Sequence, residues 1–373
     1  MVSKAERLAW LRLYRTPNVG PVTFKRLIAK YKTAEKSLEA LPHLSLRGGS
    51  KVAAKPFSEE GALKEIEEVQ KLGGRFCLSC DEDYPEELLA IEDTPAVLTL
   101  LGNGEFSQGY TKIAIVGARN ASLNGRRFTE KLAKDLSESD IKIVSGLARG
   151  IDTAAHIGSL DAGTWAVLAG GVDEVYPQEN QKLYQEIQEA GLIISESPLG
   201  VKPTAHHFPR RNRIVSGLSS GVVIVEANTK SGSLITARMA AEQGRDVYAV
   251  PGFPNDPRAG GPNRLLKDGA ILLEGAQDIL AQVASPQIIP NTLFDNAYDQ
   301  NIFEKESSEN DSCDVEIDQE KIISMISHVP ISVDEIVRAC HVSVSGVQSV
   351  LLDMEIAGRV QRLPGNRVGR IND

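Results

Sequence analysis

Between residues 112 and 250 the chain repeats one pattern: a short apolar run, a glycine- or serine-rich turn, then apolar residues at helical spacing. The runs are Lys112–Gly117, Lys142–Gly146, Ala166–Gly170, Ile193–Glu196, Val222–Glu226 and Asp246–Val250. A strand that is apolar at almost every position is buried on both faces, as helices on both sides of a parallel sheet demand. The segment therefore predicts a βαβ series, and ligands of such sheets bind at the carboxyl ends of the strands.

The flanks follow other patterns. Ala5–Tyr14 and Val22–Tyr31 have helical spacing and are joined by Thr16-Pro-Asn-Val-Gly20-Pro21; the pattern fades beyond Ala40, and a further helix is expected over Glu59–Leu72, closed by Gly73 and Gly74. A Val-Gly turn between short helices fits a helix-hairpin-helix unit, whose glycine lets the backbone approach a DNA phosphate; it fits two simply packed helices as well. After Gln282, residues 285–318 are rich in Asp, Glu, Asn, Ser and Pro and read as an acidic flexible linker. Helical patterns return at Gln319, and the tail RVQRLPGNRVGRI resembles a β-wing with a Pro-Gly turn, so a winged helix is expected. Its arginines Arg359, Arg362, Arg367 and Arg370 suit either duplex backbone or a protein partner. The expected domains are 1–75 (helical, SAM-like or helix-hairpin-helix-like), 76–284 (sheet core), 285–318 (linker) and 319–373 (winged helix).

Composition narrows the class. The 373 residues carry a formal net charge of -9, which argues against a uniformly basic nucleic-acid coat. A local basic groove remains compatible with it, because charges are screened beyond roughly 8 Å at physiological salt. The first residues, MVSKAERLAWLRLY, lack the apolar core of a signal peptide, and no run approaches the ~18 apolar residues of a membrane span, so a cytoplasmic protein is expected. Cys77 and Cys80 form a CxxC without a second pair, and Cys313 and Cys340 stand apart. Reduced thiols are expected rather than a zinc ribbon or a disulfide frame.

The loops after the apolar runs share a chemistry. They contain Gly117-Ala-Arg119, Gly146-Leu-Ala-Arg149-Gly150, Gly170-Gly171 and, after the arginine block Arg210, Arg211 and Arg213, the turn Ser231-Gly232-Ser233 that opens a helix. Such a turn points backbone N–H groups outward, and neighbouring guanidiniums strengthen the resulting anion site. Neither GxGxxG nor a P-loop occurs. Asp152 and His156, spaced i, i+4 at a helix start, read as a cap and a packed histidine. His206 and His207 have no third metal ligand, and SGLSSG is not a hydrolase elbow. Without a nucleophile, base and orienter set, binding is expected rather than turnover.

The strings IVGARNASLNG from Ile115, VSGLARGIDTAAH from Val144, AVLAGGVDEVYPQEN from Ala166, SESPLG from Ser195, FPRRNRIVSGLSSGVVIVEA from Phe208, SGSLITARMAAEQGRDVYAVPG from Ser231 and GGPNRLLKDGA from Gly260 resemble, in order, the DNA processing protein A (DprA, Smf) family. The resemblance implies an α/β protein with an extended Rossmann-like parallel sheet core, an N-terminal helical SAM-like domain and a C-terminal winged helix. It implies a non-catalytic protein without cofactors that binds and protects single-stranded DNA, forms homodimers and loads RecA during natural transformation, with single-stranded-DNA-binding protein as a further partner.

Carried over by position, it assigns DNA contacts to Arg119, to Arg210, Arg211 and Arg213, and to Ser231, Gly232 and Ser233. The loop before Phe208 departs from the family pattern, and either Lys202 or the histidines, His207 among them, supply its charge. Two rivals remain: a nucleotide hydrolase or phosphoribohydrolase using Glu226 or Asp152, and a ligand-sensing winged-helix transcription regulator.

Overall fold

The structure, a computed structural model, describes residues 2–106, 109–284, 319–326, 330–340, 342–363 and 365–371. The expected linker, 285–318, lies outside them. The chain divides into two compact units, one of Met1–Leu38 with Pro56–Leu280, the other of Glu39–Lys55 with Ala281–Asp373.

The first unit begins with α1 (Lys4–Arg15), α2 (Pro21–Tyr31) and the start of α3 (Ala34–Arg47), followed by α4 (Glu59–Lys71). Serine hydroxyls cap two of these helices: Ser3 accepts from Glu6 N–H at 3.1 Å, and Ser58 from Gly61 N–H at 3.1 Å. Pro21 occupies the first turn of α2, where its missing N–H leaves no bond unmade. Trp10 and Tyr14 of α1 pack edge-on against Phe24 of α2, with centroids 4.9 and 5.6 Å apart.

The core then runs β1 (Arg75–Leu78), α5 (Glu86–Leu89), β2 (Val97–Leu101), β3 (Lys112–Val116), α6 (Leu123–Ser137), β4 (Lys142–Ser145), α7 (Ile151–Ser159), β5 (Trp165–Val167), α8 (Gln181–Ala190) and β6 (Leu192–Ser195). It continues with α9 (His207–Gly217), β7 (Gly221–Ile224), α10 (Ser233–Glu242), β8 (Asp246–Ala249), α11 (Gly260–Lys267), β9 (Ile271–Leu272) and α12 (Ala276–Ala284). The strands form one sheet in the order β1-β2-β6-β5-β4-β3-β7-β8-β9. From β6 to β9 every pairing is parallel, as the apolar runs predict. Beyond that expectation, β1 and β2 extend one edge in antiparallel sense.

Alternation along β3 shows how the layers form. Ile113 and Ile115 pack with Leu132 and Leu136 of α6 and Ile151 of α7, whereas Ala114 and Val116 pack on the opposite side with Ile214 and Val215 of α9 and Ala237 of α10. Successive side chains of a strand point to opposite faces, so one short run feeds two apolar layers.

The second unit contains α13 (Gln319–Met325), β10 (Ile331–Ser332), α14 (Val333–Cys340), α15 (Val344–Ile356), β11 (Val360–Leu363) and β12 (Arg367–Arg370). The strands pair antiparallel in the order β10-β12-β11, and Ile336, Leu351, Met354 and Val368 are buried beneath them. Within this unit the buried Asp353 accepts two hydrogen bonds from Arg47, at 2.6 and 3.0 Å. No described helix is long and apolar enough to cross a membrane.

Candidate nucleic-acid interface

From β3 the chain winds outward in one direction through β4, β5 and β6, and from β7 in the other through β8 and β9. Adjacent strands whose connections leave in opposite directions open a crevice at their carboxyl ends. A cavity of about 370 Å³ occupies that place. The turns after β3 and β4 line it with Arg119, Asn120 and Gly146; the Ser231-Gly232-Ser233 turn and α9 form other parts of its wall. Three arginines, Arg119, Arg211 and Arg258, meet one carboxylate, Asp152, among its lining residues.

At the lip, the Arg119 guanidinium lies 5.1 Å from the centre of the Phe208 ring. The exposed Tyr176 also neighbours Phe208, its ring centre 5.8 Å away and tilted by 57°. A cation over an aromatic face is attracted by the ring quadrupole. Flat π-surfaces beside unneutralised guanidiniums also suit a base and its phosphate.

Deeper in the cleft, Arg211 is 7% exposed and donates to the backbone carbonyls of Gly146 and Val167. Burial lowers its pKa, and the Asp152 charge opposes that effect. Burial likewise raises the Asp152 pKa, against the pull of Arg211 and of backbone N–H groups, one of them Gly146 N–H at 3.1 Å. Gly150 precedes α7 with φ +81, and a Cβ there would strike the Ala118 carbonyl, so glycine is required for this close approach of two loops. His156 is fully buried, and its pKa is pushed down to about 3 by burial and then by Arg211; Nδ1 bonds Thr164 Oγ1 at 2.9 Å.

The arginine block proves to be helical, and its members point in different directions. His207, Arg210, Arg211 and Ile214 line a second cavity of about 270 Å³, whereas Phe208, Arg211, Asn212 and Val215 line the first. Both sets have the spacing i, i+3, i+4, i+7 of one helical face, and at 3.6 residues per turn the two faces are about 100° apart. Helix α9 is thus a ridge between two cavities, with Arg211 on its crest.

Arg213 belongs to neither set. Its Nη2 bonds Glu196 Oε1 at 2.5 Å, its side chain and that of Glu196 are 7% and 12% exposed, and Tyr14 also donates to Glu196. The expectation of a phosphate contact at Arg213 therefore gives way to a buried ion pair joining α9 to the strand after which Glu196 stands. Lys202 is exposed and lines neither cavity; His207 lines the second, its pKa lowered by burial and then by His206 and Arg210.

Three contributors escaped the sequence reading. Tyr176 and Asn228 lie in loops whose glycines drew the attention, and Arg258 lies beyond β8, where it pairs with Asp256 at 3.1 Å. Extending the carboxyl-end rule to that last loop would have found Arg258.

Models of known families match three stretches: DNA recombination-mediator protein A over residues 75–284, a DprA-like N-terminal HHH domain over 4–67, and the DprA winged helix domain over 306–366. The chain belongs to the DprA family.

A DprA relative in Synechocystis, protein Smf, is 35% identical over 99% of this chain and all of its own. The DNA processing protein DprA of Bacillus subtilis is 45% identical over 54% of this chain and 69% of its own. Among solved structures, DprA of Streptococcus pneumoniae aligns with TM-score 0.64 and 33% identity over 76% of this chain and 99% of that one. DprA of Helicobacter pylori, solved for its single-stranded DNA binding mode, aligns with TM-score 0.52 and 31% identity over 56% of this chain and 95% of that one.

Two further features of this DprA chain bear on its chemistry. In the winged helix, α15 (VSGVQSVLLDMEI) carries no lysine or arginine, and the wing residue Arg362 donates to Gln348 at 2.8 Å. Cys77, Asp81 and Asp83 bring one ligand atom each within 4.8 Å of the others. Arg7 and Arg75 already pair with the two carboxylates, and burial, then Asp83, raises the Cys77 thiol far above its usual range. A neutral thiol between two paired acids is a poor metal site.

Proposed function

We propose that the cleft at the β3/β7 junction binds single-stranded DNA without sequence preference and without turnover. In this reading the protein is cytoplasmic, protects incoming DNA and acts as a homodimer. It delivers the strand to RecA during natural transformation and recombination, with single-stranded-DNA-binding protein as a further partner. The observation that carries the reading is the cluster of Phe208 with the Arg119 guanidinium and the Tyr176 ring, beside a cavity that Phe208 and Arg119 line together with two further arginines and the Ser231-Gly232-Ser233 turn. Guanidiniums grip phosphates without reading sequence, and aromatic faces hold unpaired bases of any kind. The single-stranded DNA binding of the H. pylori relative and the name of the matched family support the same role.

Three groups that an enzyme reading would recruit are occupied structurally, which supports binding over catalysis. Glu226 accepts from Ser122 N–H and Oγ at 2.8 and 2.5 Å. Asp152 holds the loop after β4, and His156 is buried and neutral at physiological pH.

Anisotropy titration of labelled single-stranded and duplex DNA at several salt concentrations tests the proposal. Preference for the single strand is expected, with log affinity falling by about 0.7 per phosphate neutralised for each unit of log salt. A flat salt response, or release of base or phosphate from nucleotides, would overturn it. Added RecA should form filaments faster on strands that carry the protein.

A further inference from the structure

The second cavity, on the far side of α9, is not explained by a site confined to the β3/β7 junction. Its walls come from distant parts of the first unit. One is α9, with His207, Arg210 and Arg211; another is the loop after β6, with Ser197 and Pro198; the third is the helical segment, with Tyr14, Arg15 and the Gly20-Pro21 turn. The helical wall is fixed. Arg15 pairs with Glu65 at 2.9 Å and donates to the Glu196 carbonyl at 3.0 Å, while Tyr14 donates to the Glu196 carboxylate.

The charge of this cavity is positive. Glu196 is the single carboxylate among its lining residues, and Arg213 and Tyr14 already satisfy it. Arg210 is exposed and makes no ion pair among the described residues. The crest residue Arg211 is shared with the first cavity, so the two cavities border one another across α9.

We infer that the second cavity is a further subsite for the same DNA strand, holding a phosphodiester group beyond those in the first, with the N-terminal helices as its outer wall. The inference rests on the single-stranded DNA reading above. It makes the helix-hairpin-helix segment part of the binding surface, and Pro21 a position where charge tunes affinity.

The test uses the full chain and two oligothymidylates, one of about five nucleotides and one of about twelve, lengths within the range of known single-strand sites. Pro21→Glu is tolerated by the fold because an acid in the first turn of a helix is favourable. It should weaken the longer oligonucleotide several-fold and leave the shorter one within about twofold, whereas Pro21→Lys should tighten the longer one. Opposite signs from one position exclude misfolding as the cause. Arg210→Ala should remove the affinity gained by lengthening and lower the salt slope for the longer strand by about 0.7.

Equal effects on both lengths, or none on either, would overturn the subsite and leave the single-strand reading standing. Failure of the wild-type protein to bind either oligonucleotide would instead remove that reading. Calorimetry with thymidine monophosphate separates a polynucleotide subsite from a small-anion site: binding by the wild type that Arg210→Ala abolishes would overturn the continuous path.

Discussion

The guanidinium of Arg119 lies 5.1 Å from the Phe208 ring centre, and Arg119 makes no ion pair among the described residues. An arginine held by an aromatic face keeps its charge available, whereas one held by a carboxylate is largely neutralised. Arg119→Ala should weaken single-strand binding about tenfold or more while leaving the melting temperature nearly unchanged. Phe208→Leu should weaken it by the worth of one stacked base, about 1–3 kcal/mol, because the leucine offers neither a π-face nor a seat for the cation. Anisotropy and thermal unfolding on the same samples check both.

Gly146 sits directly beneath the Arg211 guanidinium, so a Cβ there would displace that buried group. Gly146→Ala is expected to reduce affinity for short and long strands alike, since Arg211 lines both cavities. An unchanged affinity for both would show that Arg211 takes no part.

Arg213 should behave in the opposite way to Arg119. Removing one partner of a buried ion pair strands the other charge, at a cost of about 3–5 kcal/mol. Arg213→Met should therefore lower the melting temperature strongly through Glu196, yet leave the salt slope of binding unaltered in the protein that stays folded. A shallower salt slope would place Arg213 among the phosphate contacts after all.

His156 predicts an acid limit to stability. Its imidazole stays neutral in the folded protein down to about pH 3, whereas in the unfolded chain it takes up a proton near pH 6.5. Below that pH the unfolded state binds more protons, so stability falls as pH drops from about 6.5 toward 3 and is unaffected above. His156→Asn, which keeps a donor toward Thr164, should flatten this part of the curve, as read by urea unfolding at several pH values. A curve as steep as that of the wild type would assign the acid sensitivity elsewhere.

The parallel core was legible because strands buried on both faces leave continuous apolar runs, and the Ser231 turn was legible because its small residues precede a helix. The antiparallel edge was not. β2 is a single apolar run preceded by only the four-residue α5 and followed by β3, with no long helical pattern to mark it as part of the series, and β1 carries Cys77, the first cysteine of the CxxC that reads first as thiol chemistry. The arginine block was legible as charge but not as geometry. His207, Phe208, Arg210 and Arg211 lack the apolar periodicity that announces a helix, and which of its sides faces a cavity depends on other loops, some as remote in sequence as that at Gly146.

The ridge formed by α9 has a genetic consequence. Because two of its faces border cavities and a third carries a buried ion pair, substitutions along these eleven residues should sort by angle rather than by sequence order. Mutagenesis scored separately for short-strand binding, long-strand binding and heat resistance would then place Arg210, Arg211 and Arg213, near neighbours in the chain, in three phenotypic classes.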